Sequence, residues 1–367
     1  MVDQQETSVA TLVDLAHKFD TQGMIGHTQS FVDDLRKGFA FVQQSNDEWY
    51  SLLAEQKWNS VLCLGMGGSA SSGDFLAALA DHEGTVPIRV HRDYDVPSWW
   101  TDQSLVLATS HSGTTEETVS ATEQILKRGG VVIVIASGGE LAGFSELYST
   151  CFLVPTVGGQ PPRTAFGHIF SRQYACLQRL GIMNMKSEQE LNEIFDRLED
   201  VSQNFDFTLD PEGDIAQLAA AMTSRPISIL GPTECGPAVL RFKNQLNENS
   251  ARFAKIGLIP EMNHNEIVAW GGVGEHSDPT SDTQVLLVLS WVGMHPRVLQ
   301  RTDWLIAHSP TEFAWRIQGE GQSLFESLLY HCIIMDWLSI ALSLLHGKDP
   351  NKIQPIGALK EFLKSVQ

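Results

Sequence analysis

The stretch SVLCLGMGGSASSGDFLAALA, residues 60–80, passes from an apolar run through a turn of glycine and serine into a second apolar segment. The apolar residues of SVLCLG are consecutive, as in a strand buried on both faces, whereas the segment ending in FLAALA has helical length and composition. Short apolar runs recur at PIRVH (87–91), SLVLATS (104–110), VVIVIA (131–136) and CFLVP (151–155). Strands that alternate with helices predict a parallel sheet with helices on both faces.

The same pattern returns in the second half of the chain, at PISILG (226–231), QVLLVLS (284–290) and EFAWRI (312–317). The segment ISILGPTECGPAVLRFKNQL again reads as strand, glycine-containing turn and helix. A duplicated, doubly wound, flavodoxin-like α/β unit explains both halves. We predict a helical N-terminal segment (1–55), a first α/β domain (56–186), a helical connector (187–210), a second α/β domain (211–346) and a C-terminal segment (347–367). The connector opens on the capping-box pattern SEQE.

Composition and charge narrow the class of protein. The 367 residues carry a formal net charge of −19, which argues against a nucleic-acid partner. MVDQQETSV lacks the pattern of a signal peptide, and the five cysteines form no CxxC pair, so a reducing cytoplasm is expected. The longest apolar run, 324–345, is interrupted by Glu326, His331 and Asp336, which favours a buried helix and no membrane association.

Two loops rich in glycine and hydroxyl side chains follow neighbouring predicted strands. SHSGTTEET (110–118) contains Ser110, Ser112 and Thr115, and GMGGSASSG (65–73) contains Gly67, Gly68 and Ser69. A loop between a strand and a helix directs free backbone N–H groups at one point, where they bind phosphate. An N-cap cluster is the alternative for either loop alone. The pair favours a small phosphate ester, since neither loop is a GxxxxGK[ST] or GxGxxG motif.

The segment QLNENS (245–250) sets Glu248 between Asn247 and Asn249. One interpretation is a general base held by neutral hydrogen-bond donors. The other is a surface glutamate paired with Arg241, which lies seven residues earlier on the same helix face, and spacing alone favours that ion pair.

His264, in NHNE (263–266), has two similar interpretations: a proton carrier or an ordinary loop residue. Metal binding is the weaker option, because the sequence contains neither HxH nor HExxH. We therefore expect no metal, and the lack of a GxGxxG motif likewise argues against a dinucleotide cofactor.

The motifs GMGGS, SxSGxT, PPRTAF (161–166), QLNEN and NHNE together resemble the bifunctional phosphoglucose/phosphomannose isomerases, which are built from two sugar-isomerase (SIS) domains. The resemblance covers about residues 55–362. It implies a homodimeric isomerase of glycolysis and gluconeogenesis that interconverts glucose 6-phosphate, and mannose 6-phosphate, with fructose 6-phosphate. The alternative is a non-catalytic SIS protein that binds phosphosugars for regulation.

The resemblance also implies roles for residues at matching positions. Glu248 matches the base that moves a proton between C1 and C2, and Arg163 matches the arginine that stabilises the enediolate. His264 matches a ring-opening histidine contributed by the partner subunit. Lys360, with Lys352 as the alternative, matches a C-terminal lysine that assists ring opening. Phosphate binding is implied for Gly67, Gly68, Ser69, Ser110, Ser112 and Thr115. A further position, Asn351, holds threonine in many relatives, where it is associated with accepting mannose phosphate.

Overall fold

Two parallel sheets, each flanked by helices, form the frame of this computed structural model, which describes residues 11–366. The first sheet is preceded by four helices: α1 (Leu12–Phe19), α2 (Met24–Gln29), α3 (Phe31–Gln43) and α4 (Trp49–Ala54). The elements of the first sheet and its connections are β1 (Ser60–Leu64), α5 (Gly67–Glu83), β2 (Ile88–His91), β3 (Ser104–Thr109), α6 (Glu116–Lys127), β4 (Val132–Ala136), α7 (Gly139–Leu147) and β5 (Cys151–Pro155). Its strand order, β2-β1-β3-β4-β5, is that of flavodoxin-like folds.

The second sheet repeats this order over four strands, β7-β6-β8-β9. Three helices precede it: α8 (Phe166–Arg179), α9 (Glu188–Asn204) and α10 (Asp214–Met222). Its elements are β6 (Ile227–Pro232), α11 (Gly236–Ser250), β7 (Ala254–Ile259), α12 (Ile267–Trp270), β8 (Val285–Trp291), α13 (Pro296–His308) and β9 (Ala314–Gly319), followed by α14 (Leu324–Leu345) and α15 (Gln354–Ser365). The predicted doubly wound fold is confirmed.

Strand β7 has no counterpart among the strands predicted from the sequence. It pairs in parallel with β6 alone and forms an edge of its sheet, and five of its six residues are partly or fully exposed. Because Lys255 and Gly257 interrupt its apolar residues, the segment lacks the continuous apolar run of a central strand.

The apolar run at 324–345 is helix α14, and its burial confirms the predicted core helix. By length and composition this helix could cross a membrane, but 94% of its most apolar window is buried inside the protein. Its neighbours include α10 and α11 of the second α/β unit and α1 and α2 of the N-terminal segment. All five cysteines lie within the described residues, and each is buried and unpaired.

The predicted connector helix is α9, whose N-cap residue Ser187 accepts a hydrogen bond from the backbone N–H of Glu190 at 3.1 Å. Its apolar face, which includes Leu191, Phe195 and Leu198, is buried. The helix therefore packs against the body of the protein along its length, mainly on α3 and α14. The predicted domain boundaries stay a prediction.

Candidate active site

The two hydroxyl-rich loops meet at the carboxyl ends of β1 and β3, which are adjacent parallel strands. The backbone N–H of His111 donates to Ser69 Oγ at 3.2 Å, which joins one loop to the other. Ser110 Oγ lies 2.8 Å from Thr115 Oγ1 and also accepts from the N–H of Gly113. The loops thus form one polar surface at the N-termini of α5 and α6, where helix dipoles favour an anion.

Gly68 lets the segment after β5 approach this surface. A Cβ atom built on Gly68 would lie 3.1 Å from the carbonyl oxygen of Pro162 and 3.2 Å from Cα of Arg163. Gly67, beside it, has φ +51°, in the left-handed region that favours glycine. The predicted phosphate loop therefore contacts the backbone of the PPR motif directly.

We expect Gly68→Ala to lower kcat roughly tenfold, because the added methyl group displaces Arg163 by a few tenths of an ångström from the groups it binds. Steady-state kinetics with glucose 6-phosphate, the substrate that the resemblance implies, measures the effect. Gly143→Ala is the matched control, since a Cβ there has nothing within 4 Å and lies on helix α7. Equal kcat values for the two variants would contradict the proposed role of this contact.

Arg163 links the edge of the first sheet to helix α11 of the second unit. Its side chain is 3% exposed and makes three different contacts. Nε donates to Asn249 Oδ1 at 2.6 Å, Nη1 donates to Glu248 Oε2 at 3.3 Å, and Nη2 donates to the carbonyl oxygen of Pro350 at 2.7 Å. Burial lowers the pKa of Arg163, while the charges of Glu248 and Asp336 oppose that shift. A fixed, desolvated cation therefore lies beside the Glu248 carboxylate.

Glu248 lies in the last turn of α11, with its side chain 26% exposed and thus open to a ligand. The prediction of an ion pair between Glu248 and Arg241, which spacing alone favoured, is wrong. Arg241 instead binds Asp336 on α14, with its two terminal nitrogens 2.7 and 2.9 Å from the carboxylate oxygens. Burial by itself lowers the pKa of Arg241, but the charges of Asp336 and Cys332 and the hydrogen bonds to both side chains together raise that pKa above its usual range.

The asparagines beside Glu248 do not hold its carboxylate, contrary to the interpretation from the sequence. Asn249 is 1% exposed, accepts from Arg163 and donates to Ser339 Oγ at 2.9 Å. Asn247 donates to the carbonyl oxygen of Arg252 at 2.6 Å, just beyond the end of α11. Asn249 therefore orients the arginine, and Asn247 supports the end of the helix.

Lys348 also contacts this part of helix α11, although no motif in the sequence pointed to it. Its Nζ donates to the carbonyl oxygens of Glu248 and Asn249 at 2.9 and 2.7 Å, where the last carbonyls of α11 have no partner within the helix. Burial, followed by the charge of Arg163, lowers the pKa of this amine. The lysine in GKDPN, placed after a long apolar helix, was the available signal, but its contact lies a hundred residues earlier in the chain.

His264 is not brought to Glu248 within one chain. It is exposed, in a short 3-10 turn (Glu261–His264) that follows β7, whereas Glu248 lies in the helix that precedes β7. The six residues of β7 extend about 20 Å, so the two side chains lie at opposite ends of that strand. The candidate carbon base and the candidate ring-opening histidine are thus separated in the single chain.

Neither lysine candidate contacts Glu248. Lys360 lies on α15, a helix none of whose residues is buried, and Lys352 is exposed just before it. Within residues 11–366 no group of three or more His, Cys, Asp and Glu side chains is arranged to hold a metal ion.

The chain is similar to known proteins that are built from two SIS domains. The model of the SIS domain matches residues 54–152, and that of the bacterial phospho-glucose isomerase C-terminal SIS domain matches residues 212–363. Among solved structures, the C-terminal domain of glucosamine-fructose-6-phosphate aminotransferase from Francisella tularensis superposes with a TM-score of 0.71 at 14% identity, covering 90% of this chain and 98% of that one. That likeness shows the fold.

Two relatives that are similar over most of the chain carry the same name. The bifunctional phosphoglucose/phosphomannose isomerase of Aquifex aeolicus is 29% identical over 322 residues, covering 86% of this chain and 94% of the relative. The protein of the same name from Caldicellulosiruptor bescii is 28% identical, covering 84% and 91%. Over most of its length the chain is similar to the bifunctional phosphoglucose/phosphomannose isomerases, which confirms the resemblance that its motifs predicted.

Proposed function

We propose that this protein is an aldose-ketose isomerase that interconverts glucose 6-phosphate, and also mannose 6-phosphate, with fructose 6-phosphate. The observation that carries the proposal is the contact of Arg163 with Glu248 beside two joined hydroxyl-rich loops. Binding a phosphate ester requires the loops alone. Proton transfer from carbon also requires a base and a positive charge that stabilises the resulting oxyanion. A ligand-accessible carboxylate and a desolvated arginine held against it supply these two groups.

The proposed mechanism begins with the phosphate at the paired loops. Gly67, Gly68, Ser69, Ser110, Ser112 and Thr115 supply backbone N–H groups and hydroxyls there. This anchor directs the sugar toward Glu248, whose carboxylate moves a proton between C1 and C2. Arg163 stabilises the enediolate that forms, an electrostatic effect of about 3 kcal/mol on the barrier at comparable preorganised sites. The proton returns to the neighbouring carbon to complete the isomerisation.

Ring opening moves a proton from the anomeric hydroxyl to the ring oxygen, and we assign it to His264 with help from Lys360. A histidine suits the step because its usual pKa lies near neutral pH. Lys352 stays the alternative lysine. No step requires a metal or an organic cofactor, because every proton has a side chain to carry it.

The positions of these groups support a homodimer. His264 and Glu248 lie at opposite ends of β7, so we propose that each site takes its histidine from the partner subunit. Helix α15, which carries Lys360, leaves Leu359 and Phe362 58% and 59% exposed, as expected of a helix that packs against a second copy. The cysteine pattern and the acidic charge support a cytoplasmic location.

A non-catalytic, regulatory binder of phosphosugars is the second candidate, favoured by the loops taken alone. One experiment separates the two functions. The purified protein is assayed with glucose 6-phosphate and with mannose 6-phosphate, with and without EDTA. Formation of fructose 6-phosphate that is insensitive to EDTA supports the isomerase. Binding of both sugars without turnover would favour the regulator, and full loss of activity in EDTA would contradict the metal-free mechanism.

A further inference from the structure

The turn between α14 and α15, residues 348–351, contacts both groups assigned to the chemistry. The carbonyl oxygen of Pro350 accepts from Arg163 Nη2 at 2.7 Å. Lys348 Nζ binds the carbonyls at the end of α11, including that of Glu248 itself. A shift of this turn would therefore move the acceptor that fixes the guanidinium and release the helix end that carries the carboxylate.

This turn is held in place by the N-terminal helical segment, which belongs to neither sheet. Thr21 Oγ1 donates to Asp349 Oδ2 at 2.7 Å, across 328 residues of sequence. The other oxygen of Asp349 accepts from the backbone N–H of Asn351 at 2.9 Å. Asp20 accepts from Asn351 Nδ2 at 3.5 Å and also caps α2 through the N–H groups of Met24 and Ile25.

Asp349 is the link between the two segments, since it is 5% exposed and each of its carboxylate oxygens accepts a hydrogen bond. Removing the hydroxyl of Thr21 leaves one of those oxygens without its donor at a largely buried position. Such a loss is unfavourable, and it is relieved when the turn moves toward water. The turn would then carry the carbonyl of Pro350 away from Arg163.

We propose that Thr21 and Asp20 are positioning residues for the isomerase site: they clamp the turn at 348–351 so that Pro350 holds Arg163 against Glu248. The inference rests on the proposed function of Arg163 and Glu248. The N-terminal helical segment then contributes to catalysis as well as to the packing of the hydrophobic core. Because the clamp does not contact the phosphate loops, its loss affects turnover and leaves substrate affinity in place.

Thr21→Val tests the clamp. We expect kcat to fall roughly fivefold to tenfold, with KM unchanged within about twofold, because one hydrogen bond to a carboxylate is lost and phosphate binding is intact. Thr21→Ser keeps the hydroxyl and should restore kcat. Thr208→Val is the control: it removes the hydrogen bond from Thr208 Oγ1 to Oδ1 of the buried Asp206 at 2.6 Å, which keeps its bond from the backbone N–H of Thr208, and it should leave kcat unchanged.

Hydrogen exchange of the backbone amides gives a readout independent of activity. In Thr21→Val the amides of Asn351 and Lys352, which donate to the side chain and the carbonyl of Asp349, should exchange faster, whereas in Thr208→Val they should not. Wild-type kcat in Thr21→Val, failure of the serine variant to restore it, or unchanged exchange at these amides overturns the clamp. A wild-type protein without isomerase activity overturns the proposed function itself, and the exchange comparison still decides whether the clamp exists.

Discussion

Replacing Glu248 with glutamine should lower kcat for glucose 6-phosphate by at least about a thousandfold while KM changes little. The amide keeps the size of the side chain and can still face Arg163, but it cannot accept a proton from carbon. The substrate keeps its phosphate contacts, because the two loops lie on the first sheet and Glu248 lies on a helix of the second unit. Steady-state kinetics with a coupled assay for fructose 6-phosphate measures the effect.

The control for this variant is Glu83→Gln. Glu83 is likewise a partly buried carboxylate with polar partners, since it accepts from Tyr174 at 2.8 Å and lies 3.8 Å from Lys186. It ends helix α5, at the end opposite the phosphate loop, so its loss should change stability slightly and leave kcat unchanged. A Glu248→Gln variant with more than about a tenth of wild-type kcat would remove Glu248 from the role of carbon base.

Mixing two inactive variants should restore activity if His264 acts across a subunit interface. His264→Ala and Glu248→Gln are each expected to lower kcat by about a hundredfold or more. In a mixed dimer, one site combines the intact Glu248 of one subunit with the intact His264 of the other. After subunits are exchanged at equal concentration, half of the dimers are mixed and each has one intact site, so about a quarter of wild-type activity should return.

If His264 acted on the Glu248 of its own chain, every site in the mixture would lack one of the two groups. Activity would then stay at the level of the separate variants. Different affinity tags on the two variants report subunit exchange, because only a mixed dimer carries both tags, and size-exclusion chromatography with light scattering measures the mass of each assembly.

Most of the strands and the backbone positions of both hydroxyl-rich loops could be predicted because their signals are local. An uninterrupted apolar run such as VVIVIA predicts a buried strand at its own position, and the glycines of GMGGS predict a turn at theirs. The edge strand β7 was missed for the same reason, since its apolar residues are interrupted by Lys255 and Gly257. Local sequence patterns therefore predict a strand well where that strand is buried on both faces.

The partners within the site could not be read from local spacing. Helical spacing pointed Glu248 toward Arg241, but the partner that it finds is Arg163, which lies 85 residues away. Arg241 is taken by Asp336, 95 residues away on α14. Lys348 and Thr21 act on main-chain or side-chain groups at still greater separation. Such contacts depend on how the two α/β units and the N-terminal helices pack together, which local spacing does not encode.

The most direct test of proton transfer at Glu248 is exchange at C2 of glucose 6-phosphate in D2O, followed by proton NMR. An enediolate formed by a carboxylate base exposes the abstracted proton to exchange with solvent, so the wild-type protein should replace the C2 proton of the substrate pool with deuterium. Glu248→Gln should leave that signal unchanged under the same conditions, while Glu83→Gln should remove it at the wild-type rate. Deuterium incorporation by Glu248→Gln at the wild-type rate would contradict the proposed mechanism.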